Sequence, residues 1–351
     1  MHRLIGRTGK EEGVGGVERL QQSVEREYGI EIKGWKVIKK KRKSSHVVRV
    51  DAADGKTFAL KSLYLKPERQ RFIAQSEKLL AQRGVKLARP VPTLQEELFM
   101  MYGSIPYVMY EWIAGEGVQL RGPNDLKAVV KAMALFHKAS GHLDYGPEVK
   151  LYSHPDWEKE YKQRISSMQR WLKAHHASSS KKHRAIVRHL PFFIRYGKKA
   201  LKALKKSPYQ AYRNRAPREQ TLVHGDLHHK NVIAHPKGFT LFDFEDVRFD
   251  LPSKDLLRTY SMYTKNHPFV GSTFRSMLKT YERYHPLSFE VKRIVSIDML
   301  FPHIFERMLR KKKYADMDGR ELKSAIDSER KKANYVYRRL VASNGTGNGR
   351  G

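Results

Sequence analysis

Two carboxylates and an amide stand at spacings that suggest chemistry. Asp226 and Asn231 lie five positions apart in "HGDLHHKN", and Asp243 follows twelve residues later, directly after the apolar run "FTLF". In a loop of that length an aspartate can face an acceptor hydroxyl while the asparagine turns back toward a metal. A carboxylate at a strand end then completes a pair of hard oxygen ligands suited to Mg²⁺. Phosphoryl transfer asks little more of a protein: Mg²⁺ on the phosphates, a base beside the acceptor and a lysine on the nucleotide. Three histidines in the same stretch, His224, His228 and His229, also raise the possibility of a transition-metal site. The chain has no cysteine and the carboxylates already have a full explanation, so zinc is set aside and His228 and His229 are read as lining the acceptor side.

The order H-R-D-x-x-x-x-N followed by D-F-G is how protein kinases spell this chemistry. Here it reads His224-Gly225-Asp226 to Asn231, then Asp243-Phe244-Glu245. The lysine is expected on a strand, and Lys61 in "TFALKSL" stands where V-A-I-K places it. A lone strand lysine is ordinarily solvated; its companions give this one a role. A helix carboxylate should hold it. Glu77 flanks the apolar stripe with Ile73 and Leu80, while Glu68 sits on the other flank of that stripe.

These residues need elements to position them. "VERLQQSVEREYGI" has helical spacing at Val17, Leu20 and Val24. "WKVIKK", "HVVRV" and "TFALKSL" are short β-branched or aromatic runs separated by turns, which predicts a three-stranded meander. "KPERQRFIAQSEKLLAQRG" predicts a helix ending at Gly84. "EELFMMY" and "PYVMYEW" predict two more strands. Beyond Gly115 the pattern is helical, from "PNDLKAVVKAMALFHKAS" through the basic segments of 155–206. It is interrupted only by the strand-like "TLVH", "NVIAH" and "FTLFDF", and it resumes from Leu251 to about Val341. The expected fold class is α+β: a bilobal, protein-kinase-like arrangement. Its small N-lobe is a five-stranded antiparallel sheet with one inserted helix, and its larger C-lobe is mainly helical. The expected division is a flexible N-terminus at 1–15, a nucleotide-binding N-lobe at 16–113, a helical C-lobe with the catalytic loop at 114–342 and a flexible tail at 343–351.

The bulk numbers bound the answer. A chain of 351 residues exceeds most single cores. No apolar run reaches the roughly 20 residues that span a bilayer, and the N-terminus has no apolar stretch of the kind a secretory signal needs. Lys and Arg number 69 against 36 Asp and Glu, a net charge of +33. Such a field attracts polyanions. The excess gathers in Lys159–Arg218 and in "RMLRKKK" at Arg307–Lys313, as either solvated helix faces or a docking surface.

The motif set resembles the aminoglycoside phosphotransferase/choline kinase branch of the protein-kinase-like superfamily, and within it the CotS-type spore coat protein family of spore-forming bacteria. The carrying segments are "YGIEI", "FALK", "RFIAQSEKLLAQRG", "YVMYEWIAGE", "ALFHKAS", "LVHGDLHHKNVI" and "LFDFEDVRFDLPSKDLLR", spread over about residues 25–340. The resemblance implies ATP (or another NTP) with Mg²⁺ as cofactors, synthesis in the mother-cell cytoplasm and assembly into the spore coat. It implies Asp226 as catalytic base, Asn231 and Asp243 as Mg²⁺ ligands, Lys61 on the α/β phosphates and Glu77 as its partner. Backbone groups of Glu111 and Ile113 would meet the adenine. His224 would brace the loop, and Asp250 and Asp255 would organise the segment after it. The turn "KKKRKSSH" departs from the kinase glycine-rich loop; Ser44 and Ser45 are the groups there that could hold phosphate oxygens.

Three readings follow. The first is a phosphotransferase acting on a small molecule, a sugar or another coat protein, with an anionic acceptor favoured over a cationic antibiotic by like-charge repulsion. That places an antibiotic- or choline-type small-molecule kinase lower. The second is a non-catalytic coat assembly protein retaining the kinase fold, with other coat proteins as partners. The third, a nucleic-acid binder, explains the charge only as non-specific polyanion attraction and leaves the Asp–Asn–Asp order without a purpose.

Overall fold

The computed structural model describes residues 14–41, 45–235 and 238–341. The chain forms two compact units: the first takes the described residues up to Gln82, Leu87–Ala114 and Tyr145–Lys150, and the second takes Arg83–Lys86, Gly115–Asp144 and the described remainder from Leu151.

In chain order the first unit contains α1 (Val14–Tyr28), β1 (Ile32–Lys41), β2 (Ser45–Ala52), β3 (Thr57–Ser62), α2 (Pro67–Gln82), β4 (Pro90–Val91), β5 (Met100–Tyr102) and β6 (Ile105–Glu111). The strands make one antiparallel sheet in the order β1-β2-β3-β6-β4, with β5 also paired to β6. The sheet therefore has a sixth strand beyond the expected five. That strand, β4, is two residues long and opens with a proline, which lacks the N–H a central strand must donate. It sits at the sheet edge, where that loss is tolerated.

Strand alternation sorts the two faces. Val48, Val50, Phe58, Leu60, Tyr107 and Met109 pack with Leu20, Val24 and Tyr28 of α1 into one buried core. Lys61 alternates with Leu60, and its neighbour across the ladder is Val108, so both point to the opposite face. Tyr110 shares that second face, being paired with Ala59.

The second unit contains α3 (Pro123–Ala139), α4 (Trp157–His175), α5 (Lys181–Lys205), α6 (Tyr209–Arg213), β7 (Thr221–Val223), β8 (Val232–His235), β9 (Gly238–Leu241), β10 (Arg248–Asp250), α7 (Ser253–Tyr263), α8 (Gly271–Tyr284), α9 (Phe289–Leu300), α10 (His303–Arg310) and α11 (Gly319–Val336). Its short strands make two antiparallel pairs, β7 with β10 and β8 with β9. β10 was not among the expected strand pieces; three residues carry no readable alternation.

Helix α7 is fixed by a buried carboxylate. Asp298 of α9 accepts hydrogen bonds from Ser253 Oγ at 2.5 Å, Lys254 Nζ at 3.0 Å, His303 Nε2 at 2.7 Å and the Tyr161 hydroxyl. Burial alone would push this carboxyl up; the Lys254 charge and the hydrogen bonds from His303 and Ser253 hold it well below the usual carboxylate range. Lys254 in turn lies 3.7 Å from the Trp157 ring centroid, so one charge cluster ties α4, α7, α9 and α10 together.

Candidate active site

The loop from His224 to Asn231 leaves β7 and returns as β8. Its shape is held from beneath by Asp255, in the first turn of α7. Asp255 is fully buried and receives the His224 backbone N–H at 2.7 Å, the Gly225 N–H at 2.9 Å and His137 Nε2 at 3.0 Å. Burial would raise its pKa, but these hydrogen bonds and the adjacent imidazoles outweigh it and lower the carboxyl below the ordinary value. His137, on α3, is oriented by the Tyr281 hydroxyl 2.8 Å from its other ring nitrogen.

Gly225 has φ +84, and a Cβ there would lie 2.4 Å from the Asp246 carbonyl oxygen and 2.7 Å from an Arg248 guanidinium nitrogen. The loop can pass this close to the chain entering β10 only without a side chain. Its neighbour His224 is fully buried. Nε2 of that ring donates to the Phe242 carbonyl at 2.9 Å, while Nδ1 accepts from the Asp226 N–H at 3.4 Å. The ring thus links the Asp226 loop to the residue just before Asp243.

Asn231 and Asp243 flank the open end of the β8–β9 hairpin. Val232 pairs with Leu241, and the Phe242 N–H donates to the Asn231 carbonyl at 3.2 Å. The Asn231 amide nitrogen donates to the Asp226 carbonyl at 3.2 Å, which turns its amide oxygen the other way. Asp243 sits in the left-handed region, with φ 69 and ψ 54, a conformation Asp tolerates better than most residues. An amide oxygen and a carboxylate at one hairpin end fit Mg²⁺, which takes one or two such ligands and fills its shell with phosphate oxygens and water.

The Asp226 side chain is 29 % exposed. Arg258 Nε donates to Oδ1, and His228 Nε2 lies 3.6 Å from Oδ2. His228 Nδ1 accepts from the Lys230 N–H at 3.1 Å, and burial followed by the Arg258 charge pushes the ring down to about 4. At neutral pH the ring is therefore uncharged, with its one proton on the nitrogen facing Asp226. Arg258 carries no motif of its own in the sequence, although it stands three residues after Asp255 on a helix and so shares its face. His137 was likewise unassigned within "ALFHKAS".

In the first unit, Lys61 is half-buried on β3 and Glu77 is buried on α2, whereas Glu68 is exposed. Glu77 Oε2 accepts from the Tyr110 hydroxyl at 3.0 Å. Since Tyr110 projects from the same sheet face as Lys61, Glu77 lies on the lysine's side of the sheet. Glu111 ends β6 and is exposed; Ile113 follows it, half-buried. Ser44 and the Ser45 side chain lie outside the described residues. Asp250 is fully buried, accepting two bonds from Arg248 at 3.1 and 3.3 Å and one from the Leu251 N–H at 2.9 Å.

A sheet-bearing unit with a strand lysine, followed by a helical unit with an Asp-x4-Asn loop and a strand-end aspartate, defines a kinase-like protein. The chain belongs to the phosphotransferase enzyme family, whose model matches residues 37–287. It is 24% identical over 254 residues to spore coat protein S of Bacillus subtilis (strain 168), covering 70% of this chain and 71% of that protein. Among solved structures, it is similar to an aminoglycoside phosphotransferase from Alicyclobacillus acidocaldarius with a TM-score of 0.70 at 18% identity, over 92% of this chain and 94% of that one. It is also similar to spectinomycin phosphotransferase in complex with ADP and spectinomycin, with a TM-score of 0.60 at 16% identity over the same shares. Likeness at these identities bears on the fold. Among the described residues no helix is long and apolar enough to cross a membrane.

Proposed function

We propose that this protein is an ATP- and Mg²⁺-dependent phosphotransferase of the spore coat, made in the mother cell. The observation that carries the reading is the construction of the 224–243 segment. A buried aspartate, Asp255, grips two backbone N–H groups of the loop, and His224 ties that loop to the residue preceding Asp243. That is costly, specific architecture around residues of the right chemistry. Asp226 orients the acceptor hydroxyl and receives its proton. Asn231 and Asp243 hold Mg²⁺, which when bound neutralises charge on the phosphate oxygens. Lys61 holds the α/β phosphates, Glu77 and Tyr110 keep the lysine's surroundings in register, and the backbone at Glu111 and Ile113 meets the base. The N-lobe and C-lobe of the reading are residues 16–113 and 114–342. Relatives that carry the names spore coat protein S and spectinomycin phosphotransferase support the coat setting and the nucleotide, respectively.

A thermal-shift titration tests it. ATP with Mg²⁺ at 100 times the dissociation constant should stabilise the fold by about 2.7 kcal/mol, and Lys61→Ala should weaken the shift. Unchanged melting at millimolar nucleotide would sink the nucleotide reading. A second reading, coat assembly without turnover, is favoured by α5. That helix has no acidic residue and exposes Lys181, Arg184, Arg188, Arg195, Lys198, Lys202 and Lys205 to solvent. Such a face suits docking on acidic coat proteins. Coat defects in a deletion strain that Asp226→Asn protein fully repairs would select this second reading.

A further inference from the structure

The second unit contains a cavity of about 620 Å³ that includes Gly225 of the loop and Arg258 in its wall. That volume is the size of a small-molecule site. Ten basic residues line it against four acidic ones. Six of the ten bases have a carboxylate partner. The other four, Lys265, Arg307, Lys311 and Lys313, have none within ion-pair distance among the described residues. They crowd one another and Arg258. Burial first, then the Arg258 charge, lowers the Arg307 guanidinium; burial, then Arg307, Lys265 and Arg258, lowers the Lys313 ammonium.

We infer that the acceptor is a small anionic polyol, a sugar-sized molecule bearing a phosphate or carboxylate. Its anion lies among Lys265, Arg307, Lys311 and Lys313, and its hydroxyl reaches Asp226. This rests on the phosphotransferase reading and adds the acceptor's chemical class. The acceptor oxygen forms a bond to the γ-phosphorus, the bond from that phosphorus to the β,γ-bridging oxygen breaks, and the hydroxyl proton passes to the Asp226 carboxylate. The products are ADP and the phosphorylated polyol. Arg258 connects the two ends. It bonds Asp226 and its charge is felt at Arg307 and Lys313, so an anion among the cations competes with Asp226 for this guanidinium. A polycationic aminoglycoside would meet the same four charges with the wrong sign.

The test is calorimetric titration of the full chain, without nucleotide, using glucose 6-phosphate, glucuronate, glucose, inorganic phosphate and kanamycin. At least one of the two sugar anions should bind about tenfold or more tightly than glucose, and the phosphate and carboxylate arms identify the charged group. The Arg307→Gln/Lys313→Gln double variant should lose about tenfold of that affinity. Should it melt early, Lys313→Gln alone, exposed at its position, should lose a measurable part. Four results would overturn the inference: no binding of either sugar anion at about 10 mM, glucose or kanamycin binding as well as the anions, inorganic phosphate matching glucose 6-phosphate, or unchanged affinity in the variants. Because no nucleotide is present, failure here with ATP–Mg²⁺ binding intact removes the acceptor class alone. Loss of nucleotide binding with anion binding intact removes the phosphotransferase reading and, with it, the acceptor role, leaving only an anion-binding cavity.

Discussion

Asp255 and Gly225 are the residues on which the loop geometry depends most. Asp255→Asn keeps the shape but places an NH₂ against N–H donors, because His224 N, Gly225 N and His137 Nε2 all point at this side chain. Its cost should be roughly 3 kcal/mol in urea denaturation, far more than an exposed Asp→Asn change produces. Gly225→Ala meets both a positive φ and a carbonyl oxygen at 2.4 Å. It should destabilise by more than the 1–2 kcal/mol that φ alone costs, read in the same denaturation series. The acids and the amide of this segment were legible in the sequence because they follow one another at short spacings. His137 and Arg258 were harder to see. His137 reaches Asp255 across 118 positions and the Arg258 hydrogen bond to Asp226 spans 32, and no local pattern encodes such contacts. The clue for Arg258 was the i, i+3 step from Asp255, visible only once the helix is assumed.

Elements that carry a period were legible in the same way. The meander of β1 to β3, α2 and the helical run beyond Gly115 all announce themselves by alternation or by stripes. β4 and β10 do not, since two or three residues hold no period, and their partners are supplied by the tertiary fold. The anchoring of α7 is also invisible in sequence, because Asp298 of α9 gathers donors from three other helices. Asp298→Ala should cost about 3–5 kcal/mol by leaving the half-buried Lys254 without its buried partner, measured by chemical denaturation. His303 belongs to the same cluster and gives it a pH dependence. Its Nδ1 accepts from Arg164 at 3.0 Å while Nε2 donates to Asp298, so the folded state holds the neutral ring. Burial pushes His303 down to about 4 from the ordinary 6.5. Between those values the unfolded chain binds the extra proton, so stability is full above pH 6.5 and falls as pH drops toward 4. Wild-type melting temperature should decline across that window, and His303→Gln protein should decline less. Equal declines would assign the acid sensitivity to other groups.

For the whole molecule, a net charge of +33 dominates encounters with any polyanion. Retention on heparin or RNA should be strong at low salt and fall steeply, without sequence preference, as salt rises. Weak salt dependence would argue against the basic faces as the contact surface. The composition predicted that field, but it could not separate the solvated face of α5 from the four unpaired cations around the cavity. Apart from the isolated Lys265, both are runs of Lys and Arg in the sequence, and only the placement of carboxylates in space distinguishes them. The central claim is that Asn231 and Asp243 serve a nucleotide-bound Mg²⁺ in an intact fold. Calorimetric titration of ATP with and without Mg²⁺, on wild-type and Asp243→Ala protein of equal melting temperature, tests it most directly. Saturable binding that needs Mg²⁺ and disappears in the variant is the expected result. Binding that ignores both the metal and the substitution, or none in the wild type at millimolar ATP, would contradict it.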